Sequence, residues 1–247
     1  MSKIALVTGA SSGIGKACAL ALLRDDWTVV LVGRRADALE AVAQESGKTN
    51  AIAIPADVSD EEQVKRVFDN VRTKFGRLDL LFNNAGISLP YALPGQLSGD
   101  DWRRAVDVNL HGAFYCLSYA FALMKEQIPQ GGRIINNGSI SAHTPRPGSI
   151  AYTATKHAVS GLTKTANLDG RAFNIAVGQI DIGNVASDMT AQMTQGVPQP
   201  DGSRKAEPVM EMSAVVDTFI TMAELPLSAN ILITTVMATQ MPFVGRG

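Results

Sequence analysis

Two cysteines, three histidines and a near-even balance of 22 basic and 23 acidic residues leave several function classes without material in this 247-residue chain. The cysteines and scattered histidines offer no ligand-like spacing, so no metal site is expected. Cys18 and Cys116 fall within apolar helical patterns and read as small core hydrophobes. A formal charge of −1 with no basic run excludes nucleic acid or an anionic membrane as the expected partner. No apolar stretch approaches the ~20 residues that span a bilayer. The run Met1 to Val7 enters a strand at once, without a signal or transit pattern, and a cytoplasmic location is the expectation. Charged residues at 18% against 46% apolar rule out disorder.

What the chain has is alternation. Lys3 to Thr8, Thr28 to Gly33, Asn50 to Pro55, Leu78 to Asn83, Arg133 to Asn137 and Asn174 to Gln179 read as buried strands. Between them, Gly13 to Arg24, Ala36 to Ser46 and Ala151 to Leu168 read as helices. Ser59-Asp60-Glu61-Glu62 matches a capping box and opens a further helix striped by Val64, Val67, Phe68, Val71 and Phe75. Ser98 is a candidate cap for one continuous helix carrying Trp102, Ala105, Val106, Ala113 and Leu117. A helix near Val209 to Ala223 and a strand near Ile231 to Val236 complete the pattern.

No linker, repeat or composition shift divides the chain, so residues 1–247 are expected to form a single domain. The expected fold is a doubly wound, Rossmann-type α/β domain, with a parallel sheet of about seven strands and helices on both faces. Residues 184–208 are polar and rich in Pro and Gly and read as a substrate loop. Within it, Met189 and Met193 could cover a ligand or pack on the domain body.

The first strand runs into Thr8-Gly9-Ala10-Ser11-Ser12-Gly13-Ile14-Gly15. Glycine adopts positive φ without cost, and its missing Cβ lets backbone approach a phosphate. A helix N-terminus behind such a loop adds unpaired N–H groups and a positive dipole end. Gly9, Ser11, Ser12, Gly13, Ile14 and Gly15 are therefore candidate dinucleotide contacts. An NAD site typically carries an acidic residue at the end of the second strand. Here that strand ends Gly33-Arg34-Arg35, and arginine suits bidentate binding of a 2′-phosphate. NADP(H) is expected in preference to NAD(H), with Arg34 as the discriminating contact; a solvated basic turn is the alternative.

Tyr152 lies thirteen residues after Ser139, and Lys156 four after that. On a helix, residues four apart share a face. A phenol loses its proton near pH ~10 unless a cation stands beside it, so a lysine one turn away makes tyrosine usable as an acid or base. Spacing alone also fits an amphipathic surface helix with a snorkelling lysine.

Taken in order, these motifs resemble the short-chain dehydrogenase/reductase family, from residue 3 to about residue 183. The resemblance includes Thr8 to Gly15, the run Asn83-Asn84-Ala85-Gly86, Asn109 on the following helix, and Ser139, Tyr152 and Lys156. The pair Asp57-Val58 is similar to the family's adenine-contacting pair. It implies that Tyr152 is general acid in carbonyl reduction and general base in alcohol oxidation. Lys156 would favour the phenolate and hold the nicotinamide ribose, and Ser139 would polarise the substrate oxygen. Asn109 would interrupt its helix and hold a relay water.

The implied substrate is a small-molecule alcohol/carbonyl pair, and the implied assembly a homotetramer or homodimer. A dehydratase, isomerase or enoyl-type reductase on the same fold is an alternative, as is a cofactor-binding sensor or scaffold without turnover.

The chain departs from the family after its sixth strand. Most members read Pro-Gly-x-x-x-Thr there, and this chain reads Val177-Gly178-Gln179-Ile180-Asp181-Ile182. Ile182 replaces the threonine that anchors the nicotinamide carboxamide, leaving Ile180 to offer backbone groups and Asn184 as a possible substitute. A tail, 240–247, replaces the usual glycine-rich ending and could serve a subunit contact. His143 lies on the loop between Ser139 and Tyr152 and reads as a pocket-wall or loop-packing residue; His157 points elsewhere, and His111 reads as helix surface or subunit contact.

Overall fold

The computed structural model describes residues 2–186 and 196–244. Strand β1 (Ile4–Thr8) is buried along its whole length and sits at the middle of the sheet. Helix α1 (Gly13–Arg24) lays Cys18, Ala19, Leu22 and Leu23 against one face. Strand β2 (Thr28–Gly33), helix α2 (Ala36–Ser46) and strand β3 (Ala51–Pro55) continue the alternation.

Helix α3 (Glu61–Phe75) starts one residue later than its sequence signal suggests. Asp60, not Ser59, is the cap: its Oδ1 accepts from the Gln63 N–H at 3.1 Å and its Oδ2 from Gln63 Nε2 at 2.8 Å. Ser59 is diverted to Asp57 Oδ1, to which its N–H and Oγ–H donate at 3.0 and 2.7 Å. Ser59 donates to a charged acceptor in this turn, and the Gln63 N–H is taken by the Asp60 carboxylate.

After β4 (Leu80–Asn83), the helix expected from Ser98 runs without a gap from Gly99 to Glu126, with a π turn set into it. Ser98 does cap α4 (Gly99–Val106), accepting from the Asp101 N–H at 3.0 Å. A one-turn π segment (Asp107–His111) follows, and then α5 (Gly112–Glu126). Trp102 does not face the core and is 39% exposed. At Gly112 a Cβ would come within 2.8 Å of Val58 Cγ2, so glycine is what lets this helix approach the turn before α3.

Strand β5 (Gly132–Asn137), a 3-10 turn (Ile140–Ala142) and α6 (Ile150–Gly170) come next. A short 3-10 turn (Arg171–Phe173) leads into β6 (Ile175–Ile182), which ends three residues later than the sequence pattern suggests and is buried throughout. The segment 184–208 is not a plain loop. It contains a small antiparallel hairpin of β7 (Val197–Pro198) and β8 (Arg204–Lys205), while Met189 and Met193 lie outside the described residues. Helix α7 (Met212–Glu224) and strand β9 (Ile233–Val236) finish the fold.

Seven parallel strands pair in the order β3-β2-β1-β4-β5-β6-β9. Apolar side chains of α1 and α7 cover one face, around Leu22, Phe82 and Phe219; those of α3 and α5 cover the other, around Leu81, Phe68 and Leu123. The strand order reverses between β1 and β4, which opens a crevice at the carboxyl ends of the strands. Arg133 braces the far side, donating to the carbonyls of Leu225, Pro226 and Ala229 and to Asn230 Oδ1. Among the described residues no helix is long and apolar enough to cross a membrane.

Within the tail, residues 240–244 fold back on the body of the domain. Met241 is buried beside Gly183, and Phe243 meets the His143 ring edge-on at 6.4 Å.

Candidate active site

The glycine loop takes its shape from three positions. Gly9 and Gly13 have φ of +66° and +53°, a region costly for residues with a Cβ. A Cβ on Gly15 would lie 2.3 Å from Gly9 O, so the loop folds directly onto the first turn of α1. That turn is open to an anion. Ser12 makes no side-chain cap, and the turn holds no acidic residue, whereas the first turns of α3 and α4 each hold two. Free N–H groups and the dipole's positive end therefore face outward from Gly13, whose missing Cβ leaves open space.

The strand ends beside the loop are stapled together. Thr8 Oγ1 accepts from the N–H groups of Asn84 and Ala85, both at 2.9 Å, and Asn84 Nδ2 returns a bond to Thr8 O at 2.9 Å. Asn137 Nδ2 donates to Asn84 Oδ1 at 2.8 Å. In this way β1, β4 and β5 are held in register where the crevice begins.

A cleft of about 570 Å³ follows the strand ends. Gly9, Ser11, Ser12, Gly13 and Ile14 line it, joined by Arg34, Asp57 and Val58 from beyond β2 and β3. Asn84, Ala85 and Gly86 form the part beyond β4, and Ser139, Tyr152 and Lys156 the part beyond β5. Four candidates do not reach its surface: Gly15, Asn83, Asn109 and Ile180. Gly15 works from behind the loop. Asn83 is buried, donating to Ala113 O and Asn136 Oδ1 at 2.7 and 3.1 Å.

Both arginines after β2 are exposed at the cleft. Arg34 lies 3.9 Å from Asp57, and Arg35 Nη2 donates to Ser11 Oγ at 3.2 Å. Arg35 thus joins Arg34 as a candidate phosphate contact. Its adjacency in sequence was the available signal, but only the fold turns it toward the glycine loop. The open helix end, the φ-positive glycines and this arginine pair fit a phosphorylated dinucleotide.

Beyond β5, Ser139 Oγ accepts from the Ser141 N–H at 3.1 Å, which leaves its own proton free to donate elsewhere. Tyr152 is half-buried, and the Lys156 ammonium stands 5.5 Å from its ring centre. Lys156 is buried and spends one N–H on Asn137 O at 2.7 Å, keeping two for a ligand.

Asn109 falls in the π turn, where the helix is interrupted as the family resemblance implies. Its side chain is fully engaged: Oδ1 accepts from the Ile87 N–H at 2.7 Å, and Nδ2 donates to Ile87 O at 2.9 Å.

The β6 end holds the main correction. Ile180 is wholly buried in the core and does not reach the cleft, its carbonyl accepting from the Gly138 N–H at 2.9 Å, so its backbone is not presented to a carboxamide. Ile182, Gly183 and Asn184 line the cleft instead. Asn184 is itself occupied, accepting from Arg146 Nη2 at 2.8 Å and donating to Glu207 Oε2 at 3.0 Å.

Sequence reasoning also missed Asp181. This carboxylate is completely buried and accepts from the Ser139 N–H at 2.9 Å, Gln179 Nε2 at 2.7 Å and His143 Nε2 at 2.7 Å. His143 is accordingly a loop-packing residue. His157 bonds Thr153 O and His111 bonds Asp107, both away from the cleft. Among the described residues no group of three or more His, Cys, Asp or Glu side chains could hold a metal ion.

The family model described as short chain dehydrogenase matches residues 3–198. The chain is 41% identical over 170 residues to a 3beta-hydroxysteroid dehydrogenase of Mediterraneibacter gnavus; the match covers 68% of this chain and 60% of that relative's length. The fold is similar to that of a 3-ketoacyl-(acyl-carrier-protein) reductase from Brucella melitensis complexed with NADH, with a TM-score of 0.86 and 26% identity over 96% of this chain and 98% of that one. It is also similar to ElxO with NADP bound, with a TM-score of 0.83 and 28% identity over 96% and 97% of the two chains.

Proposed function

The chain belongs to the short-chain dehydrogenase family, and from that premise we propose that it is an NADP(H)-dependent oxidoreductase acting on an alcohol/carbonyl pair. The observation that carries the reading is one cleft lined both by an anion-ready glycine loop and by Ser139, Tyr152 and Lys156. The bound cofactor supplies or accepts the hydride. This chain's residues bind it, position the substrate and handle the proton.

Gly9 to Ile14 hold the pyrophosphate, and Asp57 and Val58 border the adenine. Arg34 and Arg35 hold the 2′-phosphate, since two guanidinium groups at the end of β2 suit a phosphate and leave no carboxylate for a ribose 2′-hydroxyl. Two relatives in fold carry different nicotinamide cofactors, so the arginine pair decides the preference here. Lys156 holds the ribose with its remaining donors.

Ser139 donates its hydroxyl proton to the substrate oxygen, because its lone-pair side is engaged by Ser141. Tyr152 delivers the proton in reduction and removes it in oxidation, with the Lys156 ammonium 5.5 Å from its ring. Asn109 shapes the wall through Ile87 and leaves the relay to the opened backbone of its π turn. The same reading makes the protein a cytoplasmic homo-oligomer.

The test is a panel of ketones and aldehydes followed by NADPH absorbance, with NADH in parallel. Tyr152→Phe should bind NADPH as the parent does and turn nothing over. Retained turnover in that variant would sink the mechanism.

A further inference from the structure

Strand β5 ends at Asn137, and the Gly138 N–H makes the last bond to β6, donating to Ile180 O at 2.9 Å. Ser139 is the first residue past the sheet, so no strand holds its N–H. Asp181 does, with Oδ1 at 2.9 Å. The other carboxylate oxygen accepts from His143 Nε2 at 2.7 Å. His143 closes the 3-10 turn that Ser139 opens, its own N–H donating to Ile140 O at 3.0 Å. One carboxylate therefore grips both ends of the turn carrying the site's hydroxyl.

The grip is built in at some expense. A wholly buried carboxylate costs free energy unless every oxygen is satisfied, and here three donors converge on it. Gln179, which donates to Oδ1, also donates to Ser160 Oγ at 2.9 Å and lies 2.9 Å from Thr163 Oγ1, which anchors the cluster to α6. Gly138 is the only residue that fits beside it, since a Cβ there would stand 2.0 Å from Oδ1. Phe243 lies edge-on to the His143 ring, 6.4 Å between ring centres. If the turn served only to connect β5 to α6, a backbone bond would suffice and no buried charge would be needed.

We propose that Asp181 and His143 are positioning residues for Ser139, setting the direction in which its hydroxyl meets the substrate oxygen. Neither lines the cleft, so both act through Ser139. The proposal rests on the oxidoreductase reading above.

The experiment uses the full chain and the best carbonyl found in the ketone and aldehyde panel. It measures kcat, KM, the NADPH dissociation constant and the thermal midpoint for Asp181→Ala, Asp181→Asn, His143→Ala and His143→Gln. Asp181→Ala should lose about 100-fold in kcat, the scale of a small misplacement of a reacting group, while NADPH affinity stays within about twofold. Asp181→Asn should recover to within about threefold, because its amide oxygen still accepts from Ser139 and its amide N–H can donate to a neutral imidazole. His143→Ala should lose about tenfold in kcat at unchanged KM, and His143→Gln, which retains a donor, should regain most of it.

Full kcat in a folded Asp181→Ala overturns the proposal, as does a loss that Asp181→Asn does not repair. If Asp181→Ala does not fold, His143→Ala decides alone: its side chain is half-exposed and its removal leaves the core intact, so parental kcat there overturns the pair. A parent chain that turns over no carbonyl fails the oxidoreductase reading and takes this one with it, whereas an active parent with fully active variants fails only this one.

Discussion

Asn109 and Ile87 are joined through both backbone groups of Ile87, whose N–H donates to Oδ1 at 2.7 Å and whose carbonyl accepts from Nδ2 at 2.9 Å. The amide replaces a strand partner for the segment that follows the Asn84-Ala85-Gly86 turn. Asn109→Ala strips both bonds from a partly buried backbone and should cost about 1–3 kcal/mol of stability, read as a lower urea midpoint. Asn109→Asp should not repair it, because a carboxylate oxygen would face Ile87 O. An unchanged midpoint in both variants would show that the pairing is dispensable.

The local motifs were readable because each is made by residues close together in the chain. Thr8 to Gly15 forms its loop from its own backbone, and Tyr152 and Lys156 share a face through helical geometry alone. The seven-stranded sheet was readable for the same reason, since each βαβ step is local. Asp181 was not, because its partners Ser139 and His143 lie 42 and 38 residues away. The departure around Gln179 to Ile182 showed that something was different at the β6 end, but not that the difference was a buried carboxylate. Ser59 reads as a cap from sequence alone because only the folded chain turns its hydroxyl to Asp57 and sets the Asp60 carboxylate on the Gln63 N–H. Ile180 and Ile182 share a face of β6 and one core cluster, and only the folded chain shows that Ile182, two residues nearer the strand end, also borders the cleft.

Arg34 and Arg35 reach the cleft from consecutive positions and meet different partners, Asp57 and Ser11. Each charge-assisted bond to a phosphate contributes about 1.5–3 kcal/mol, so Arg34→Ala or Arg35→Ala should weaken NADPH binding about tenfold or more. NADH binding should barely change. Fluorescence titration with both cofactors checks this, and equal loss for the two would contradict the 2′-phosphate assignment.

Gly15 lies where a Cβ would be 2.3 Å from Gly9 O and 2.5 Å from Asn84 Nδ2. Both neighbours are held, Asn84 by Thr8 and Asn137, so neither can retreat. Gly15→Ala should destabilise by about 1–3 kcal/mol through overpacking and weaken both nicotinamide cofactors alike, since the loop serves their shared pyrophosphate. Gly13→Ala meets open space but not a compatible backbone, its φ being +53°. It should be milder in stability, and calorimetry on the two variants orders them.

Cys116 is buried in α5, and burial pushes its thiol up to about 12; the same cause raises Cys18 in α1 further. The thiolate is the reactive form, so neither should react with iodoacetamide in the native protein at pH 8, while both should react in denaturant. Mass spectrometry distinguishes the cases, and rapid native labelling of either would mean that its helix opens.

Glu207 is nearly inaccessible, and burial alone would raise its carboxyl. The bond from Asn184, the nearby Arg146 charge and the bond from Gln199 outweigh this and hold it below its ordinary value of 4.5. A depressed folded-state value means that the carboxylate stabilises the fold above the ordinary value. That stability is lost as pH falls from about 4.5 through the depressed one. Glu207→Gln should therefore be less stable than the parent at pH 7, where Arg146 loses its charge partner. The gap between the two should narrow as pH drops below about 4.5, because the parent's unfolded state takes up a proton there before its folded state does, while the variant is not titratable. Thermal midpoints taken from pH 7 to pH 3 give the comparison; a gap that stays constant across that range would show that the Arg146–Glu207 pair contributes through packing and not through charge.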